Sequence, residues 1–93
     1  MVRAKFIIDK LERVHTTVPT GERDAQGRAV YGPGVLITVS GRPVYGNGDP
    51  AHENSKFWHA TPSGSVTLGS VNERLAEFFE LGKEYFVDFT KAE

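Results

Sequence analysis

The segment Glu53–Thr90, ENSKFWHATPSGSVTLGSVNERLAEFFELGKEYFVDFT, constrains the fold more than any other part of the chain. It holds the only tryptophan and five of the six phenylalanines. Ser70-Val71-Asn72-Glu73 has the Ser-x-x-Glu form of a capping box, which satisfies orphan amides at a helix start. Leu75, Phe78 and Phe79 follow at spacings of three and four, one apolar stripe, and Gly82 suits a left-handed stop. The spacing predicts a helix from about Val71 to Glu80. So short a helix is marginal alone and must pack its stripe on a sheet. Tyr85, Val87 and Phe89 then alternate with Glu84, Phe86 and Asp88, which predicts a closing strand whose inward face receives the helix. Upstream, Lys56–Ala60 reads as a strand, Thr61-Pro62-Ser63-Gly64 as a turn, and Ser65–Leu68 as a return strand with Val66 and Leu68 inward. In a strand the neighbours Phe57 and Trp58 point to opposite faces, one into the core and one partly outside.

The N-terminal half adds a hairpin. Val2, Ala4, Phe6 and Ile8 alternate with Arg3, Lys5 and Ile7, a strand with one buried face. The phase slips at Asp9-Lys10, as at a bulge, and the strand resumes from Val14 to Thr17. Asp24-Ala25-Gln26-Gly27 has the chemistry of a type I turn followed by a left-handed glycine, at the end of a polar stretch, Thr17–Ala29, expected as a long mobile tip. Val35, Ile37 and Val39 alternate in a β-branched strand. Gly32-Pro33-Gly34 before it is expected as a bulge or a break at an edge. Gly41–Asn54 is expected to be irregular, with a turn at Asn47-Gly48-Asp49-Pro50 and one helical turn capped by Asp49. The expected fold is therefore mainly β: one domain over residues 1–93, a small antiparallel barrel or curled sheet of about five to six strands, capped by a helix in the C-terminal half.

Chemistry-bearing motifs are absent. With Lys+Arg at 11 and Asp+Glu at 12, the chain lacks the basic excess through which duplex binders neutralise phosphate. There is no cysteine, hence neither a disulfide framework nor a thiolate zinc site. His15, His52 and His59 lack the short pairing of a metal site, and no Ser nucleophile stands beside His52-Glu53 by any motif. Gly32-Pro33-Gly34 and Gly46-Asn47-Gly48 lack the Lys-Ser/Thr pair of a phosphate cradle. No cofactor, metal or catalytic set is expected, and apolar runs are too short for a membrane span. Nor does the N-terminus have the apolar stretch and cleavage site of a signal peptide.

The aromatic residues carry more. Tyr31, Tyr45, Phe57, Trp58 and Phe86, with Tyr85, are candidates for a stacking platform, flanked by Arg28, Arg42, Lys56 and Lys83. The competing expectation is that most of these rings fill the core. Phe57 or Trp58, and Phe86, are the rings expected in an exposed patch, the usual mark of an interface.

The stretches ENSKFWHATPSGSVTLGSV and FELGKEYFVDF, preceded by VRAKFIIDKLERV, resemble small proteins encoded by tailed bacteriophages. The resemblance implies a viral origin and a non-enzymatic role, in the virion or the host cytoplasm, and carries no residue roles. The leading expectation is a protein acting through surface contacts, most concretely a head-decorating virion component whose partner is a capsid protein or a further copy of itself. The alternatives are a single-stranded nucleic-acid-binding barrel and an accessory protein that inhibits a host defence factor or sequesters its nucleotide signal.

Overall fold

The computed structural model describes residues 1–47 and 49–93. Its elements are β1 (Val2–Arg23), β2 (Ala29–Pro43), α1 (Glu53–Trp58), β3 (Val66–Ser70), α2 (Arg74–Phe78) and β4 (Glu84–Phe89). The four strands form one antiparallel sheet in the order β3-β2-β1-β4. The sheet is open, not a closed barrel, and has four strands where five or six were expected. β1 runs on through the expected phase slip and past Thr17 to Arg23, β2 is one continuous strand, and Lys56–Trp58 is helical.

β1 and β2 form the expected hairpin. Asp9 is the extra residue of the bulge, between the pairs Ile8–Gly41 and Lys10–Ser40. The turn is also as expected: the Gly27 N–H donates to the Asp24 carbonyl at 2.9 Å, and Gly27 has φ +79°. Asp24 Oδ1 accepts from the amides of Gln26 and Arg28, both at 2.9 Å. The expected long loop is instead strand almost to the turn, because Thr16–Val18 keep pairing with Gly32–Gly34. Gly32-Pro33-Gly34 neither bulges nor breaks β2. Its glycines make room for β1: a Cβ on Gly34 would lie 2.5 Å from Val18 Cγ1.

The core lies on one sheet face, where Ile8, Ile37 and Val39 are buried beneath Leu75, Ala76 and Phe79, with Leu11, Val35 and Tyr85 beside them. α2 is shorter than the stripe predicts, and the capping box does not form. Ser70 ends β3 and accepts from the Asn72 amide instead, at 3.1 Å, while Asn72 Oδ1 accepts from Arg74 N at 3.1 Å. The far end is closed by Tyr85, whose hydroxyl donates to the Phe78 carbonyl at 2.8 Å and accepts from the Glu80 amide at 3.0 Å. Leu75 and Phe79 dock as expected, but Phe78 is 62% exposed. A five-residue helix has room for little more than one row of side chains toward the sheet, and Phe78 lies beside that row. Leu68 and Phe89 stand on the core face at the outer strands and stay half exposed.

Lys56–Ala60 is not a strand. α1 begins at Glu53 with His52, not Asp49, as N-cap: His52 Nδ1 accepts from the Asn54 amide at 3.1 Å. Asp49 holds the preceding turn, its carboxylate accepting from the Ala51 amide at 3.0 Å. Gly48, within the expected turn cluster, lies outside the described residues. One side chain fixes α1. Asn54 is fully buried, and its Oδ1 accepts from Lys5 N at 2.6 Å while its Nδ2 donates to the carbonyls of Lys5 (2.7 Å) and Val44 (2.6 Å). It gives the edge of β1 the hydrogen bonds a neighbouring strand would supply.

Candidate functional site

Strand pairing decides which part of the molecule is free. β4 pairs with β1 only over Val2–Ile7, and β3 with β2 only over Ile37–Gly41. From Val14 and Leu36 outward the described hairpin has two strands, and α2 with the residues before it flanks its base, where Val35 packs on the core and Val71–Arg74 border Val18, Gly34 and Val35. β1 is irregular between Pro19 and Arg23, so the length is read on β2, where the eight residues Ala29–Leu36 at about 3.3 Å each give the paired arm about 26 Å, with the turn beyond. The molecule measures 61 × 33 × 18 Å with a radius of gyration of 18.0 Å. A compact chain of this length would have a radius near 12 Å. The difference is the arm.

Residues directly opposite in the ladder share a face. One face of the arm presents Val14, Thr16 and Val18 of β1 beside Leu36, Gly34 and Gly32 of β2, with no charge among them. Charge collects at the tip, where Arg28 Nε pairs with Asp24 Oδ2 at 3.3 Å. Tyr31 stands on the arm opposite Pro19, well exposed.

The other candidate residues lie on the body, in separate places. Phe57 and Trp58 are not on opposite faces of a strand but adjacent on α1, ring centroids 4.4 Å apart. Trp58 is half buried, edge-on to Phe6 at 6.1 Å, and its indole N–H donates to the Ser63 carbonyl at 2.9 Å, tying down the following loop. Phe57 reaches Phe89 at 6.1 Å, and Met1 and Val2 complete this exposed apolar end. Phe86 is exposed, as expected, but on the opposite face, because it pairs with Lys5 while Phe89 pairs with Val2. There the Arg3 guanidinium lies 4.5 Å and the Lys5 ammonium 5.3 Å from its ring centroid, the cation–π geometry. Arg42 pairs with Asp9 at 3.5 Å. Tyr45 and Lys56 line a shallow cleft with Ser55, His59 and Pro62. The rings are thus not gathered into one platform.

Ion pairs dress the Phe86 face. Arg3 holds Asp88 through two bonds, Nε–Oδ1 at 2.6 Å and Nη2–Oδ2 at 3.0 Å. These bonds, then the guanidinium charge, hold the Asp88 carboxyl below its ordinary range and raise Arg3 above its own. Glu53 is also lowered, first by its own backbone amide and then by Lys5, 3.6 Å away. Among the described residues, no group of three or more His, Asp or Glu is placed to hold a metal ion.

Two features escape a reading of the sequence. The Asn54 clamp has no signal, since a lone Asn after a Pro-containing turn is unremarkable. The free arm has one: Pro19 and Pro33 lie in opposite strands two rungs apart, as at an uncovered edge. No family model matches the chain, and no curated protein or solved structure matches it either.

Proposed function

We propose that this protein works by contact, as a structural or assembly component that uses the arm to dock on a partner. One observation carries the reading: an arm about as long as the body, flanked by α2 and the residues before it as far as Val18 and Pro33 and extending beyond them to the Asp24–Gly27 turn. An isolated two-stranded hairpin is marginal in water and gains stability from a third layer. A chain that extends its longest strands away from its own core places the surface most in need of covering where another molecule reaches it. The uncharged face suits burial, since it brings no charge to be desolvated.

The likeness to tailed-phage proteins gives the reading its concrete form, a head-decorating or virion-stabilising protein. On a symmetric particle many copies each add a modest interface, and avidity replaces individual affinity. Mass spectrometry of purified virions tests this form. Recovery of the chain in many copies per particle is the expected result, and its absence from particles that package and infect normally removes the virion role.

A further inference from the structure

We propose that two copies of the chain pair antiparallel through the outer edge of β1, with the two-fold axis at Val14. The inference does not depend on the virion role, and its test uses the isolated protein.

Backbone direction in β1 can be followed from bonds at its start. Ile8 points toward β4, since its N–H donates to the Lys83 carbonyl at 3.0 Å and its carbonyl accepts from Gly82 N at 2.8 Å. Lys5 points the other way, toward Asn54 and Val44. Successive residues alternate in this respect, and the bulge at Asp9 shifts the alternation by one. Lys10, Glu12, Val14, Thr16 and Val18 then bond to β2, and Leu11, Arg13, His15, Thr17 and Pro19 turn their amide and carbonyl groups outward. Three prolines check this phasing. Pro19, Pro33 and Pro43 all fall at outward positions, where no ladder bond needs an N–H.

The prolines also divide the free edges. Pro33 interrupts the outer edge of β2. On β1, the connection before β4 occupies the edge at Ile8, and Pro19 blocks it further out. Between them Leu11, Arg13, His15 and Thr17 form an unblocked row, the kind of edge that recruits another strand.

That row is self-complementary. A two-fold axis normal to the sheet at Val14 sets Leu11 opposite the other copy's Thr17, and Arg13 opposite its His15, each twice by symmetry. All four outward positions on each copy find partners, and each such pair exchanges two hydrogen bonds. Glu12 meets Thr16 and Lys10 meets Val18, so no two acids and no two Lys or Arg residues stand directly opposite. Glu73 and Glu77 line the groove beside Arg13 and His15 and offset the charge brought there. Val14 meets itself, and it is 51% exposed in the single chain. Gly82 and Lys83 hold the neighbouring position at Ile8, so pairing ends where Lys10 meets Val18, and the bend at the Asp9 bulge together with Pro19 turns the other copy's tip aside. An edge contact buries less than a standard interface, so the dimer is of the weak, concentration-dependent class.

Analytical ultracentrifugation from micromolar to millimolar protein tests the proposal. The expected parent mass rises from 10.3 kDa toward twice that value. Val14→Lys and Val14→Glu each place like charges across the axis and remain monomeric, and their mixture recovers the dimer. His15→Pro removes an outward N–H that the fold does not use, so it keeps the parent circular dichroism spectrum and loses the dimer. Directly opposed residues at non-hydrogen-bonded positions have Cα atoms about 4.5 Å apart, within disulfide range. In a glutathione buffer Val14→Cys therefore cross-links in one step, and a Glu22→Cys control does not. A parent that stays at 10.3 kDa throughout, with Val14→Cys linking no faster than the control, overturns the proposal. So does a dimer that survives both His15→Pro and Val14→Lys.

Discussion

Replacing Asn54 by alanine removes the three hydrogen bonds that seat α1 on the sheet. The Lys5 carbonyl keeps a second donor, the Val44 amide at 3.0 Å, but Lys5 N and the Val44 carbonyl lose theirs. A buried polar group left without a partner costs about 1–3 kcal/mol, so the two orphaned groups together cost about 2–6 kcal/mol. A chain of this size has a total stability on the order of 5–14 kcal/mol. At about 4–8 °C per kcal/mol for a domain of this size, even the lower figure lowers Tm by about 8 °C or more. Thermal unfolding followed by circular dichroism measures it, and Trp58 fluorescence reports the release of α1 separately. The two probes should move together, since Trp58 sits four residues beyond Asn54. Asn54→Asp should do no better, because it keeps the acceptor, loses the donor and aims a charge at two carbonyls. A Tm within about 2 °C of the parent would show that α1 is held by something other than this clamp.

Three further outcomes follow from the packing. Phe79→Ala removes a ring packed on the core and should cost about 2–3 kcal/mol, while Phe78→Ala, in the exposed neighbour, should cost about 1 kcal/mol or less; urea titrations of both test the assignment. Thr16→Pro removes an inward N–H of the arm ladder and should fray the arm, read as faster proteolysis between Val14 and Leu36, with the body intact; equal proteolysis of Thr16→Pro and His15→Pro would refute the alternation. Asp88 has a depressed carboxyl pKa, so its stabilising effect is present above the ordinary aspartate value near 3.9 and lost as pH falls through the lower folded value. Urea midpoints at pH 7, 5 and 3 should put Asp88→Asn slightly below the parent at pH 7, by a small margin because the pair is exposed, and bring the two together as pH falls to 3.

Much of the fold was legible because it rests on local chemistry. The Asp24–Gly27 turn, the Asp9 bulge and the alternation of β4 each follow from a few adjacent residues. The failures share one cause, tertiary bonds that override local pattern. Phe57-Trp58 favours a strand by composition, yet Asn54 reaches across to Lys5 and the chain coils to let it. Ser70 and Glu73 spell a capping box, yet Ser70 is held in the ladder opposite Ile37, so the helix starts late. Phe78 and Phe79 are equivalent in the stripe and both meet Tyr85, but Phe79 packs on the cluster of Ile8, Ile37 and Val39 while Phe78 lies beside it. The exposed character of Phe86 was readable from its phase, whereas at Phe57 and Trp58 the phase left the choice open and assumed a strand where the chain is helical. The separation of Phe57 and Phe86 onto two faces was not readable, because it depends on the register of β4 against β1.

Site-resolved amide exchange, on the free protein and on the assembled particle or complex, tests the arm as a docking element most directly. Ile37 and Val39 should exchange slowly in both states. Leu11, Arg13, His15 and Thr17, with the Asp24–Arg28 turn, should exchange fast in the dilute free protein and become protected on assembly. Unchanged exchange along the whole arm, in an assembly shown to contain the protein, would contradict it.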